Sequence, residues 1–369
     1  MRLLQPFVLV VTALVGVGYA FLALRLGSGP GSRVAILVPF FFIWIVPVRY
    51  WGRPRDKPET RLDQVVHQAS YLSMAFVSFL LVLTLAKDAL VLATWGAPQL
   101  NAYVREASVP VILGGSVLAV VIGALTALRG PGVERVDVRV PGLHPDLEGF
   151  RIVQISDLHV GRTIRRRYVE RTVERARALS PQLVALTGDM VDGSVARLES
   201  DVEPLRALGG ESAFFILGNH DCYSGAAAWI RRFEALGMRV LLNSHVRLQI
   251  GKARMIVGGV VDPAYGRLRP RISIPEDERA DFKLLLAHNP RLAPLGARAG
   301  FDLQLSGHTH AGQFFPWTLA VRLVHAPHAA GLSREGAMQV YVSAGTGTWG
   351  PPVRFGTSPE ITLLRLVAA

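Results

Sequence analysis

The apolar positions of this chain follow two patterns. Over its first third they form four long runs, at about Leu4–Leu24, Ala35–Val48, Ala69–Ala86 and Val109–Leu128. Each is near or somewhat below the ~20 residues that cross a bilayer. The second is short and carries Pro39 and Pro47, which predicts a tilted or re-entrant segment in place of a clean span. The first has one Arg at its start, no clear small-residue cleavage site and three further runs behind it, so it reads as a retained anchor and not as a signal peptide.

Past Arg129-Gly130-Pro131-Gly132 the pattern shortens. Val136, Val138 and Val140 alternate with charged residues, the period-two mark of a half-exposed strand. Short apolar runs then alternate with amphipathic stretches. Strands are predicted at Ile152–Ile155, Leu183–Leu186 and Phe214–Leu217, and helices over Arg165–Leu179, burying Val169, Val173 and Ala176, over Ala196–Leu208 and over Ala226–Leu236. Further strands are expected at Arg247–Ile250, Met255–Val260, Lys283–Ala287, Leu303–Leu305, Gln339–Val342 and Ile361–Leu366. This order predicts an α/β domain with helices covering its sheets. The expected organisation is a membrane domain over residues 1–130 with about four spans, then a catalytic domain over residues 133–369.

Composition agrees. Half of the 369 residues are hydrophobic, and the mean hydropathy of +0.32 is too apolar for an ordinary soluble enzyme. The formal charge of +12 suits anionic lipid headgroups. The arginines are dispersed and no aromatic-interleaved basic stripe is present, so no nucleic-acid partner is expected. Cys222, the single cysteine, excludes an internal disulfide and a thiolate metal cage; it reads as a packed small hydrophobe. Arg49, Arg53, Arg55, Lys57 and Arg61 lie between runs two and three, and Arg129, Arg135 and Arg139 follow run four. With these on the inner side, a multi-pass protein of the inner (plasma) membrane is expected, with its catalytic domain in the cytoplasm. Loss of the second span would reverse that side. The runs carry no charge near mid-span, which argues against a transport pathway.

The candidate chemistry sits in five short stretches: Ser156-Asp157-Leu158-His159, Thr187-Gly188-Asp189-Met190-Val191-Asp192, Leu217-Gly218-Asn219-His220-Asp221, Ala287-His288-Asn289 and Ser306-Gly307-His308-Thr309-His310. Carboxylate, imidazole and carboxamide suit hard-to-borderline divalent ions. Each stretch follows a predicted strand, so the candidates gather at the carboxyl edge of the sheets, the usual crevice for a site. Two ions about 3.5–4 Å apart need a bridging ligand, and Asp189, between the Asp157/His159 pair and Asn219 in chain order, is the candidate. Gly188, Gly218 and Gly307 each precede a candidate ligand, where a missing Cβ allows close backbone approach.

These five stretches resemble the pattern D-x-H, GDxxD, GNH[DE], H and GHxH of the calcineurin-like metallophosphoesterase superfamily. Gly307-His308-Thr309-His310-Ala311-Gly312-Gln313 and Tyr341-Val342-Ser343-Ala344-Gly345-Thr346-Gly347, with Pro351, Arg354 and Pro359-Glu360-Ile361, resemble its YkuE-type branch, some members of which carry N-terminal membrane helices. The resemblance covers roughly residues 133–366 and implies a four-layer α-β-β-α sandwich. It implies one metal on Asp157, His159, Asp189 and His310, and a second on Asp189, Asn219, His288 and His308. The ions would be Mn²⁺ first, with Fe²⁺ and Zn²⁺ as the others, and a hydroxide between them would attack phosphorus. His220 would stabilise or protonate the leaving oxygen, and Asp221 would orient and charge-stabilise that imidazole. Asp192 is expected to support a loop. Ala344 departs from the Arg or Asn common at that place, which puts a substrate contact in doubt. Of the remaining histidines, His325 and His328 are expected near the cleft; Arg165-Arg166-Arg167 reads as a solvated helix start.

The expected activity is hydrolysis of a phosphodiester or pyrophosphate by a membrane-anchored enzyme. A glycolipid precursor such as UDP-2,3-diacylglucosamine, a substrate of relatives in this branch in lipid A synthesis, is the expected substrate. A protein or nucleotide phosphatase and a membrane scaffold with a vestigial site are the alternatives.

Overall fold

The computed structural model describes residues 6–50, 60–266, 269–272 and 279–369. The chain divides into two compact units: Met1–Leu125 with Gly350–Phe355, and Thr126–Trp349 with Gly356–Ala369.

Among the described residues the first unit holds four helices, α1 (Pro6–Leu26), α2 (Pro30–Tyr50), α3 (Arg61–Ala93) and α4 (Pro98–Leu128), the last of which runs on past its boundary. Leu22, Leu26, Leu80 and Ile112 bury one another at its centre. α3 outgrows its apolar run because polar residues extend it at both ends. Thr60 caps it, accepting from the Asp63 N–H at 3.2 Å while the Asp63 carboxylate accepts from the Thr60 N–H at 3.1 Å. Such a reciprocal pair satisfies two N–H groups that a helix start leaves open. At 33 and 31 residues, α3 and α4 are long and apolar enough to cross a bilayer. α2 runs unbroken through Pro39 and Pro47; a helix tolerates proline when neighbouring groups satisfy the freed carbonyls. Arg53, Arg55 and Lys57, which carry part of the sidedness expectation, lie outside the described residues. Within this unit the Gly350–Phe355 segment buries Val353 and Arg354, and the Arg354 N–H donates to the Gly123 carbonyl at 2.9 Å.

The second unit contains β1 (Gly132–Val140), β2 (Arg151–Ile155), α5 (Arg166–Ala178), β3 (Leu183–Leu186), α6 (Val195–Val202), β4 (Ala213–Phe215), α7 (Asn219–Tyr223), α8 (Ala226–Ala235), β5 (Arg239–Val240), β6 (Ser244–Ile250), β7 (Ala253–Gly259), β8 (Phe282–Leu286), α9 (Ala293–Arg298), β9 (Leu303–Ser306), α10 (Trp317–Val324), β10 (Gly331–Glu335), β11 (Met338–Val342) and β12 (Glu360–Ala368). The described strands form two six-stranded sheets, ordered β1-β12-β2-β3-β4-β5 and β10-β11-β9-β8-β7-β6. β2, β3, β4 and β5 are parallel in the first; β7, β8, β9 and β11 are parallel in the second.

Successive strand residues point to opposite faces, and here both faces are buried. Ile152, Leu183, Ala185 and Phe214 turn inward against Met255, Leu284, Leu286 and Leu303 of the other sheet. Val153, Ile155, Val184, Leu186 and Phe215 turn outward beneath Val169 and Val173 of α5, Leu198 of α6 and Trp229 and Phe233 of α8. Leu285, Val340 and Val342 form the outer face of the second sheet, under Ala293 of α9. Helix, sheet, sheet, helix is the expected four-layer order. The helix expected over Ala196–Leu208 is broken: α6 ends at Val202, and Glu203–Leu208 continues as a tighter 3₁₀ turn with Pro204 in its first residues. Proline lacks the N–H that would have continued the α ladder.

Trp229 is fully buried, and its indole N–H donates to the Gly193 carbonyl at 2.8 Å, directly after the Asp189–Asp192 loop. Trp229→Ala should destabilise the unit by about 3–5 kcal/mol, and Trp229→Phe by roughly 1 kcal/mol from the lost hydrogen bond. Denaturant midpoints of the detergent-solubilised chain check the order; equal midpoints for both variants would contradict it.

Candidate metal centre

The five motif stretches meet at the carboxyl ends of β2, β3, β4, β8 and β9. Past the strand ends their backbones still pair. The Asp157 N–H donates to the Gly188 carbonyl at 3.0 Å, His159 to Asp189 at 3.1 Å and Val160 to Met190 at 2.9 Å. Gln154, buried between the sheets, donates to the Thr187 hydroxyl and to the Ser306 carbonyl, both at 2.8 Å, and so ties three ligand-bearing strands together. Of the seven expected ligands, Asp157, His159, Asp189, His308 and His310 have left-handed backbone, with φ between 51° and 72°. Such conformations cost on the order of 1–3 kcal/mol each for residues other than glycine and persist only where the surroundings over-determine them. The glycines are needed for contact: a Cβ on Gly218 would stand 2.2 Å from Asp189 Oδ1, and one on Gly307 would stand 2.1 Å from Asp157 Oδ2.

The side chains fall into neighbouring groups whose ligand atoms lie within 4.8 Å of one another: Asp157, His159 and His310; Asp189, His288 and His308; and His159, Asp192 and His220. In the first, His159 Nε2 is 3.0 Å from His310 Nε2, and His310 Nε2 is 3.4 Å from Asp157 Oδ1. In the second, His288 Nε2 is 3.2 Å from Asp189 Oδ2. The same Asp189 oxygen is 3.9 Å from His159 Nε2, so this carboxylate faces both groups. Asn219 Oδ1 lies 3.0 Å from His308 Nδ1.

The donor set fits cations. His288 Nδ1 lies 2.8 Å from the Thr187 carbonyl, which can only accept, so Nδ1 carries a proton. Its Nε2 is buried with no hydrogen-bond partner, aimed at a carboxylate. His159 Nδ1 faces Asp192 Oδ2 at 3.1 Å, which turns the Nε2 atoms of His159 and His310 toward each other. An imidazole lone pair facing a carboxylate or a second lone pair needs a proton or a metal ion between them, and an outer carbonyl or carboxylate on the far nitrogen is the usual support of a ligand histidine. The charge balance agrees. Burial disfavours imidazolium, yet the surrounding carboxylates push His288 up to about 10 and His159 up to about 9. Burial raises the Asp157 carboxyl, while burial and the neighbouring His288 push His308 down to about 3. The site draws in positive charge.

The roles expected of Asp221 and Asp192 are exchanged. Asp221 does not face His220. Its buried carboxylate accepts from the N–H groups of Asp189 at 2.8 Å, Gly218 at 2.9 Å, Met190 at 2.9 Å and Val191 at 3.2 Å. It is the loop support. Asp192 contacts His220 instead, with Oδ1 2.7 Å from Nδ1 while Oδ2 holds His159. The sequence signal was present in the second acid of Gly-Asp-x-x-Asp, but both acids lie close to ligands and only tertiary hydrogen bonds separate them. Cys222 is part of the packing: burial pushes its thiol up to about 12.

Other residues reach the site without a motif. Tyr223 and Trp349, both exposed, stand edge-on to His220 with ring centroids 5.7 and 5.8 Å away. His325 stands edge-on to His308 at 5.8 Å, as expected of a cleft residue. His328 does not: its two nitrogens engage Ser333 at 2.7 Å and Glu335 at 3.0 Å. Arg165 and Arg166 are held by Asp201 and Glu170 and do not face the site.

Comparison with known proteins gives the same reading. Residues 150–312 match the family model described as calcineurin-like phosphoesterase. The chain is 34% identical over 276 residues to a zebrafish (Danio rerio) protein named transmembrane protein with metallophosphoesterase domain, covering 69% of this chain and 63% of that one. It is 30% identical to an uncharacterized metallophosphoesterase of Aquifex aeolicus, covering 68% of this chain and 97% of that protein. It is 28% identical to the uncharacterized metallophosphoesterase YkuE of Bacillus subtilis, covering 69% and 96%. The chain thus spans less than two thirds of the vertebrate relative and nearly all of the two bacterial ones. With buried carboxylates and imidazoles converging as metal binding requires, this chain belongs to the calcineurin-like phosphoesterase family.

Proposed function

We propose that the centre is binuclear and that it hydrolyses a phosphodiester or pyrophosphate bond in a substrate drawn from the membrane. The observation that carries this reading is the Asp189 carboxylate, one oxygen of which lies 3.2 Å from His288 Nε2 and 3.9 Å from His159 Nε2. Asp157, His159 and His310 would hold one ion, and Asn219, His288 and His308 the other, with Asp189 shared. Mn²⁺ is the first candidate, then Fe²⁺ and Zn²⁺. When bound, such a pair would lower the pKa of water and offset the negative charge on the phosphoryl oxygens.

The chain's own residues supply the rest. His220, half-buried beside both groups, is placed to give a proton to the leaving oxygen. Asp192 is the positioning residue: it accepts from His220 Nδ1 and so presents Nε2 outward. Although partial desolvation among the loops opposes it, His159 and His220 hold the Asp192 carboxyl below the usual carboxylate range, so it stays anionic near neutrality. Tyr223 and Trp349 flank His220, which suits a flat leaving portion such as a nucleoside monophosphate. This favours an acylated sugar nucleotide such as UDP-2,3-diacylglucosamine, and among the alternatives it favours a nucleotide over a phosphoprotein. The apolar helices and a relative named as a transmembrane protein support residues 1–130 as the membrane domain; the multi-pass arrangement in the plasma membrane, with residues 133–369 in the cytoplasm, rests on the arginines around the apolar runs.

With Mn²⁺ supplied, the full-length chain should hydrolyse bis(p-nitrophenyl) phosphate, and Asp189→Asn should lower kcat about a thousandfold or more. Full activity of that variant would remove the shared carboxylate from the mechanism. His220→Asn should lose roughly 10²–10⁴-fold on esters with alkyl leaving groups and far less on p-nitrophenyl esters, whose anion leaves unprotonated. Asp192→Asn should lower kcat in the same leaving-group order on top of a uniform loss, because Asp192 also supports His159; the test of the proton-donor role is therefore read on His220→Asn. A uniform loss across leaving groups would rule out the proton-donor role. A fluorescent protein fused to the C-terminus should glow, whereas an alkaline phosphatase fused there should be inactive; the reverse pattern would place the catalytic unit outside.

A further inference from the structure

α10 shows the catalytic unit's apolar side chains to solvent. It contributes no buried residue, and Trp317, Leu319, Leu323 and Val324 are 52%, 51%, 83% and 58% exposed. Leu319 and Leu323 are one turn apart on a single face. Thr318, Val321 and Arg322 turn toward a cavity of about 780 Å³ that Ala311, the residue after His310, also lines. At its C-terminal end, His325 meets His308, and exposed Arg291 donates to the Val324 carbonyl at 3.3 Å. A helix beside the metal site thus carries exposed leucines, a tryptophan and flanking arginines.

Water-facing surfaces rarely keep such a patch without a use. A second copy of the chain would cover the leucines equally well. The arginines decide between the two: Arg291 and Arg322 flank the patch, where they suit anionic headgroups and would repel the same patch on a second copy. Leucine and tryptophan beside arginine is also the make-up of helices that lie in the headgroup region of a bilayer. The same chain carries helices long enough to cross one.

We propose that α10 is an interfacial helix that seats the mouth of the metal site in the headgroup layer, so that an amphiphilic phosphoester reaches His308 and His325 from the lipid surface and not from bulk water. This rests on the hydrolytic reading of the site only for what is delivered; the docking itself does not.

The test uses the full-length chain in nanodiscs of phosphatidylcholine and phosphatidylglycerol. An environment-sensitive fluorophore is attached at Leu323→Cys, in a Cys222→Ala background, and separately at Arg298→Cys, an exposed position at the end of α9. Emission at position 323 should shift to the blue and be quenched by nitroxide-bearing lipids several-fold more strongly than at position 298. Equal, water-like emission at both positions would overturn the proposal. So would a blue shift at 323 that lipid nitroxides do not quench and that fades on dilution, the signature of a second copy. Should the labelled chain not fold, the loss of brominated-lipid quenching in Trp317→Phe relative to the unmodified chain reads the same contact. Hydrolysis of bis(p-nitrophenyl) phosphate by the unmodified chain is followed in the same nanodiscs. Quenching without hydrolysis would sink the hydrolytic reading and leave the docking standing; hydrolysis without quenching would do the reverse.

Discussion

The carboxylate of Asp221 holds the site together without facing it. Burying an anion is costly unless hydrogen bonds replace its water, and here four backbone N–H groups do so, three from the Asp189–Val191 segment and one from Gly218. Burial beside Asp189 pushes this carboxyl up to about 7, while those donors favour the anion. The ends of β3 and β4 are thereby drawn onto one centre. Their approach is close enough that a Cβ on Gly188 would stand 2.6 Å from the Gly218 nitrogen. The Asp189 carboxylate has little freedom left: His220 N–H donates to its Oδ1 at 2.7 Å, and its Oδ2 faces His288 and His159.

The backbone shows why so rigid a clamp is needed. Left-handed residues at Asp157, His159, Asp189, His308 and His310 turn side chains out of the alternating pattern of a strand and onto its end, where both sheets present theirs. Each such residue is strained, and hydrogen bonds between neighbouring loops hold it: His308 N–H donates to Asp157 Oδ1 at 2.9 Å, and the Gly347 N–H donates to the Asp157 carbonyl at 3.0 Å. Hydrogen bonds within the fold therefore help to hold the strain. Ligand atoms arrive prearranged, which limits the reorganisation that binding requires.

Much of this could be read from the sequence, for physical reasons. Strands buried on both faces appear as short, mostly apolar runs, so β2, β3, β8, β9 and β11 stand out, and the ligands just past the ends of β2, β3, β8 and β9 imply convergence. What was not legible depended on tertiary hydrogen bonds or on weak periodicity. Asp192 and Asp221 are both acids beside ligands, and whether a carboxylate meets amides or imidazoles is settled by contacts to residues about thirty positions away. The break after Val202 is a contest between amphipathic spacing and Pro204, which proline wins locally. α10 spans only eight residues, Trp317–Val324, and its apolar face is exposed, so it does not stand out as a core-facing helix. Its link from His325 to His308 depends on the path of the intervening loop.

The site also divides between dry and wet sides. Asp157, Asp189 and His288 are almost fully buried, whereas His220 is half-buried and Asp192, Tyr223 and Trp349 open to solvent. On the proposed reading, this division matches the chemistry. Charge attraction is stronger where water is excluded, which favours holding cations among the buried ligands. A proton donor has the opposite need, because it must recover its proton from water after each turnover. Asp192 spans the divide, with one oxygen on His159 inside and the other on His220 outside. Its single charge therefore supports a ligand and a proton donor together. Replacing it by a neutral isostere should weaken both, whereas replacing His220 should weaken only the proton transfer.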